Sequence, residues 1–257
     1  MRNELQYKQQ IVEIGQWIYQ KGFVSGADGN ISYREANEVL MTGKGLCKGR
    51  MNVDDIVKTD LQGNQLSGFH QPSGEISMHL EVYNNRPDIN AVVHAHPVYA
   101  TAFAVAGIPI NRPILSEVVL TLGCIPIAEY ATPTSPELAE VLRDYIPHYN
   151  AVLLANHGAL AYGENLLQAY YRMETLEHTA QIATITRILG RETVISDADL
   201  DKLFAVREKY GIKSPDLRAL GCPTSEGSNS SGEFYTISKP ELIQLIESVL
   251  ERNFRKN

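Results

Sequence analysis

Apolar residues recur at helical spacing from residue 5 to 20. Leu5, Ile11, Val12, Ile14, Trp17 and Ile18 share one side, and Lys21-Gly22 closes the run, so the spacing predicts a first amphipathic helix. The pattern then changes period. GADGNISYREANEVLMTGKG reads as a glycine turn, a short strand, a Glu-Ala-Asn turn, a second short strand and another glycine turn. Ile56–Thr59 and Leu61–Gly63 predict a further strand and turn. After Gln71-Pro72-Ser73-Gly74, residues 75–84 return to helical spacing, with Ile76, Leu80 and Tyr83 on one side. Ala91–His94 is a buried-strand pattern, and Val98–Ala106 a small-residue helix stopped by Gly107. Pro126–Tyr130 and Ala151–Ala155 are two more strands, separated by a helix over Pro136–Ile146. The longest periodic segment runs from Leu166 to Leu189 and ends at Gly190. Strands are too many for a bundle and helices flank them irregularly. The expectation is an α/β domain with a mixed or mainly antiparallel sheet and helices on both faces.

The end of the chain has a different texture. Asp197–Tyr210 reads as helix, and Pro223–Glu233 (PTSEGSNSSGE) as a polar linker. In SKPELIQLIESVLERNF, Ser238 and Glu241 fit a capping box, and Leu242, Leu245, Ile246, Val249 and Leu250 form an apolar stripe that must dock on something.

Composition narrows the class. With 257 residues, 44% hydrophobic and 21% charged, the chain can bury a full core, which excludes disordered, collagen-like and coiled-coil readings. No apolar run approaches the roughly 18–20 residues of a membrane span, and the polar start MRNELQYKQQ has no signal-peptide core, so a cytoplasmic location is expected. The net charge of -7 argues against a broad nucleic-acid surface. Cys47, Cys124 and Cys222 are an odd number without a CxxC pair, and predict neither a disulfide framework nor a cysteine metal site.

Histidines carry the strongest chemical signal. In VVHAHP, His94 and His96 are two apart at the end of an apolar strand, so their rings share a face. Imidazole suits zinc and related divalent ions. LLANHGA puts His157 just after a second apolar strand, and a catalytic zinc takes three protein ligands plus an open position. The competing reading is plain, since a strand-end histidine is usually only a hydrogen-bonded residue. His70, His79, His148 and His178 lack such context. His79 lies one helical turn after Glu75 and reads as a packing or surface histidine.

Glu75, at the start of a predicted helix in QPSGEISMH, would ordinarily be dipole and capping chemistry. It gains weight because a metal site needs a base and this loop precedes the HxH strand by one helix. Three loops could hold an anion through backbone N–H groups: Gly26–Asn30, Thr42–Gly45 and Pro72–Gly74. Neither GxxxxGK[ST] nor GxGxxG occurs.

The ordered set GxxGNIS, TGKG, PSGE, HAHP and NHGA resembles the class II aldolase/adducin family over about residues 8–190. The resemblance implies a three-layer α/β/α sandwich around a mainly antiparallel central sheet, with residues 1–190 as the catalytic domain and 191–257 as a C-terminal extension. It implies a homotetramer with active sites between subunits. It also implies one Zn2+ on His94, His96 and His157, Glu75 as acid/base, and a phosphate held by Asn30, Gly45 and Ser73, with Lys44 and Gly74 in the same loops. The implied reaction is aldolase cleavage of a phosphorylated ketose to dihydroxyacetone phosphate and an aldehyde through a zinc-stabilised enediolate. Alternatives on the same scaffold are a decarboxylase or dehydratase, or a non-catalytic adducin-like module. Departures from fuculose-phosphate aldolase fall in the loops: it has threonine where Ala27 and Lys44 stand, and serine where Gly74 stands. The family's aldolases also place a tyrosine between the HxH strand and the next strand. No tyrosine occurs between Tyr99 and Tyr130, which leaves Glu117 or a tail residue such as Tyr235 as substitutes.

Overall fold

The structure, a computed structural model, describes residues 4–212. The expected linker at 223–233 and the capped helix after Ser238 lie outside the described residues. Seven α-helices and eight strands follow one another as α1 (Glu4–Gln20), β1 (Asn30–Glu35), β2 (Glu38–Thr42), β3 (Ile56–Asp60), β4 (Gln65–Ser67), α2 (Ile76–Asn85), β5 (Ala91–Ala95), α3 (Val98–Ala106), α4 (Ser116–Thr121), β6 (Ile127–Ala128), α5 (Pro136–Leu142), β7 (Ala151–Leu154), β8 (Gly158–Gly163), α6 (Leu166–Ile188) and α7 (Asp197–Lys209).

All eight strands form one sheet in the order β4-β3-β2-β1-β5-β8-β7-β6. Every neighbouring pair is antiparallel except β6 with β7. The apolar runs of the central strands are continuous because both faces are covered, and the two-residue period sorts them into two cores. Ala91, Val93 and Ala95 of β5, with Ala159 and Ala161 of β8, join Ile11, Ile14 and Ile18 of α1 and Met173 and Leu176 of α6. Val92, Leu160 and Tyr162 point the other way, onto Met78 and Val82 of α2 and Leu138 and Leu142 of α5. The result has the helices on both faces that the sequence pattern anticipates, and is the three-layer sandwich that the family resemblance implies.

Several boundaries differ for physical reasons. The strand expected over Pro126–Tyr130 pairs only at Ile127–Ala128, because it is the sheet edge beside β7 alone. The helix expected to Ile146 ends at Leu142, with the next residues held in turns such as Tyr145 N–H to Leu142 O. β4, α4 and β8 were not anticipated. β4 is three exposed residues, and α4 is too short to show a period. β8 is buried throughout but reads GALAYG, small residues without alternation. α7 forms as expected and packs against α4. No helix among the described residues is long and apolar enough to cross a membrane.

Candidate active site

Adjacent central strands deliver the site's side chains. In the β1–β5 register Asn30 sits directly opposite His94. His96 follows β5 by one residue, and its N–H bonds to Phe23 O at 2.8 Å. The third histidine arrives on the hairpin between β7 and β8. Asn156, at φ 56, takes the left-handed conformation this turn needs and that asparagine tolerates. A Cβ on Gly158 would lie 2.5 Å from His96 Cδ2 and 2.6 Å from Ala95 O, so only glycine lets the hairpin seat His157 against the end of β5.

The three rings form a triangle with centroids 4.7 to 5.0 Å apart. One ligand atom from each lies within 4.8 Å of the others. His94 Nε2 and His96 Nε2 are 3.0 Å apart, close to the separation of roughly 3.3 Å expected for two imidazoles on one ion at about 2.0–2.1 Å. His94 Nδ1 is 3.0 Å from Ala159 O and donates to it, which leaves Nε2 bare for a metal, the usual outer-shell arrangement for a ligating histidine. His157 Nδ1 is buried with no hydrogen-bond partner among the described residues. Burial pushes the His94 pKa down to about 3, against the opposing pull of Glu75, so the ring is neutral, the form that ligates. Burial lowers His96 in the same way. The donor set and its geometry fit a divalent ion of the zinc class.

Glu75 stands at the N-cap position of α2 without a side-chain capping bond, which leaves its carboxylate for this triangle. Its Oε1 is 3.2 Å from His157 Nε2, and its Oε2 is 3.4 Å from His94 Nε2. Asn30 Nδ2 donates to Oε2 at 2.7 Å. Burial works to raise this carboxyl, but the rings of His94 and His157 and the Asn30 amide outweigh it. They hold it below the ordinary carboxylate range, as an anion.

The anion loops are assembled around this cluster. Gly43 and Pro72 form an antiparallel bridge, and Lys44 N–H donates to Gln71 O at 2.8 Å, which sets Thr42–Gly45 beside Pro72–Gly74. Ser73 Oγ accepts the Glu75 N–H at 3.3 Å. Lys44 and Gly45 are exposed, Ser73 and Gly74 half-buried, and Asn30 buried. A Cβ on Gly74 would lie 3.0 Å from Thr134 Cγ2. Thr134 itself holds φ 68, a strained value for a β-branched residue. Glu117 is exposed on α4, and Tyr235 lies outside the described residues.

Three residues escaped the reading of the chain. Lys48 is buried, and its Nζ donates to Ala27 O at 3.1 Å and to Leu46 O, tying the first loop to the second. Burial lowers its pKa to about 8 against Cys47, Asp28 and Glu75. Asp28 Oδ2 comes within 3.8 Å of His96 Nδ1. His79 is neither surface nor mere packing, for both its ring nitrogens are hydrogen-bonded. The signal that could have found it is the spacing of Glu75, His79 and Tyr83, four residues apart on one helix stripe.

The model of the Class II Aldolase and Adducin N-terminal domain matches residues 9–184. The 3-oxo-tetronate 4-phosphate decarboxylase of Pectobacterium atrosepticum is 34% identical over 190 residues, covering 72% of this chain and 87% of that protein. The L-fuculose phosphate aldolase of Methanococcus maripaludis is 34% identical over 173 residues, covering 67% and 93%. A solved structure of an L-fuculose 1-phosphate aldolase superposes with a TM-score of 0.75 at 31% identity, covering 81% of this chain and 98% of that one.

Proposed function

Because the chain belongs to the class II aldolase and adducin family, we propose that it is a zinc-dependent lyase that cleaves a phosphorylated ketose reversibly to dihydroxyacetone phosphate and an aldehyde. The observation that carries this reading is the Glu75 carboxylate, 3.2 and 3.4 Å from the nitrogens of His157 and His94. A proton-transferring group and three imidazoles meet at one point.

His94, His96 and His157 would hold the ion. It supplies Lewis acidity where negative charge develops on the substrate's oxygens. Glu75 moves the proton: as an anion it takes one from the hydroxyl that becomes the aldehyde oxygen, and after the carbon–carbon bond breaks it delivers that proton to the carbon that keeps the electron pair, the condensation direction reversing both transfers. Asn30 Nδ2 orients the carboxylate. The substrate's anionic end sits in the loops around Lys44, Gly45, Ser73 and Gly74, where backbone N–H groups and the Lys44 ammonium oppose its charge. Lys48, fixed between the loops, adds cationic character against the net charge of -7. A cytoplasmic homotetramer belongs to the same proposal, with light scattering of the purified chain testing the assembly.

A second reading, decarboxylation of a phosphorylated 3-oxo acid, has an observation of its own. By the sequence resemblance Lys44 stands where fuculose-phosphate aldolase has threonine, and several relatives at 33–36% identity bear a decarboxylase name. Either reaction leaves an electron pair on a carbon beside a carbonyl, so the same base and ion serve both. A panel of ketose 1-phosphates and phosphorylated 3-oxo acids separates them. Dihydroxyacetone phosphate release supports the aldolase, carbon dioxide release from the keto acids replaces it with the decarboxylase, and neither product from any member overturns both.

A further inference from the structure

β1 reads Asn-Ile-Ser-Tyr-Arg-Glu, alternating polar and apolar, and a half-buried strand of this kind ordinarily turns its polar side to water. Here Ile31 and Tyr33 face the α1 core, while Asn30 and Ser32 are buried with exposures of 2% and 0%. The polar side of β1 lies against the stripe of α2 carrying Glu75, His79 and Tyr83. Two periodicities, two residues on the strand and four on the helix, interleave into one buried polar row.

Each hydrogen in that row has a defined place. Asn30 Nδ2 donates to Glu75 Oε2 at 2.7 Å. The opposite amide orientation would put two acceptors face to face. Asn30 Oδ1 therefore points at His79 Nε2 and can only accept, so Nε2 carries the hydrogen. His79 Nδ1 is then bare, and Ser32 Oγ, 2.7 Å away, donates to it. The Ser32 hydrogen is thereby used, so Tyr83 OH donates to Ser32 Oγ at 2.6 Å. Arg34 closes the row, its guanidinium bonded to Tyr83 O and lying 5.1 Å from the Tyr83 ring centroid. His79 is fully buried and Tyr83 is 2% exposed, so the row ends in the interior.

We infer that His79 is a positioning residue for Glu75: it fixes the Asn30 amide with its N–H toward the carboxylate, and is itself fixed by Ser32 and Tyr83. The inference rests on the reading of Glu75 as the proton-transferring group. Without His79 the amide is free to turn about its side-chain bond and present oxygen to Glu75, and the carboxylate loses its shortest orienting contact, the 2.7 Å bond from Asn30. Outer-shell partners of this kind typically change activity by about 10- to 100-fold.

The test uses the zinc-loaded full chain, with 15N-labelled histidine and asparagine, alongside His79→Phe, His79→Gln and Ser32→Ala. Wild type is expected to show His79 as the neutral Nε2–H tautomer and a strongly hydrogen-bonded Asn30 side-chain amide. His79→Phe should lose that amide shift and lower kcat about 10- to 100-fold, with KM and zinc content unchanged. His79→Gln restores a donor toward Asn30 and should recover most of the loss, and Ser32→Ala should fall between. A protonated or Nδ1–H His79, an unmoved Asn30 signal in His79→Phe, or equal kcat for the Phe and Gln variants overturns the inference. If His79→Phe does not fold, wild-type kcat and an unmoved Asn30 signal in Ser32→Ala overturn it. Full turnover in Glu75→Gln, by contrast, removes the reading of the base beneath it. If no substrate in the panel turns over, the lyase reading fails, and the tautomer and amide signals judge the row.

Discussion

Asn30, Ser32, His79 and His94 are buried, whereas Gly26, Ala27, Lys44 and Gly45, which belong to the same candidate site, are exposed. In the first group almost every polar atom has a named partner, because an unpaired buried donor or acceptor costs about 1–3 kcal/mol. Each residue type is therefore dictated by its neighbours. In the second group water can satisfy whatever the protein does not, and substitution is cheap. The departures from fuculose-phosphate aldolase that the sequence resemblance implies follow that line: Ala27 and Lys44 are exposed and Gly74 half-buried, while the resemblance matches the histidines, Glu75 and Asn30 to the family pattern. On the proposed function, the chemistry falls to the buried half and the choice of substrate to the loops.

Changes in the buried half should be the most damaging. Glu75→Gln keeps the shape and the Asn30 contact but removes the base, so turnover should fall by about 10²- to 10⁴-fold with the metal retained. Steady-state kinetics with parallel metal analysis check this, and wild-type turnover would remove the assignment. The same half should make the metal-free protein acid-labile. His79 and His94 are lowered by burial to about 3, against ordinary values near 6.5. Between those limits the unfolded chain binds protons that the folded chain refuses, so stability is lost as pH falls below 6.5. Between pH 7 and 5 the loss is roughly 1–2 kcal/mol per histidine. Thermal melts of chelator-treated protein should show Tm dropping across that interval, and a flat Tm would contradict it.

The loops should answer differently. Lys44→Ala removes a charge-assisted contact worth about 1.5–3 kcal/mol, so KM for the anionic substrate should rise roughly tenfold or more while kcat holds. A loss of kcat at constant KM would move Lys44 into the chemistry. Smallest is Gly74→Ser. Its Cβ would crowd Thr134 Cγ2 at 3.0 Å, and overpacking of this size costs about 1 kcal/mol. Pairing it with Thr134→Ala should recover that cost, and strict additivity of the two in denaturant unfolding would show that they do not touch.

How much could be seen in the chain follows the same division. The central strands were legible because residues 91–93 and 152–154 are apolar in unbroken runs, and α1 and α6 because their periods are long. β8 was hidden by its small residues, and β4 and α4 by their brevity. Within the site, HAH announced itself through a spacing of two at the end of one strand. His79, Ser32 and Tyr83 did not, because their meeting depends on how α2 lies across β1, a tertiary fact that neither periodicity contains alone. Lys48 was missed for a related reason. A lysine in KGR reads as solvated, and only the approach of Ala27 O and Leu46 O explains its burial.

The central claim, that His94, His96 and His157 hold a metal which the site's chemistry requires, is tested most directly by the metal content of the purified full chain and of His96→Ala after equilibration with zinc. About one equivalent in the wild type, bound by three imidazoles, and close to none in the variant is the expected result. A wild type that takes up no stoichiometric metal, or a variant that binds as much, would contradict it.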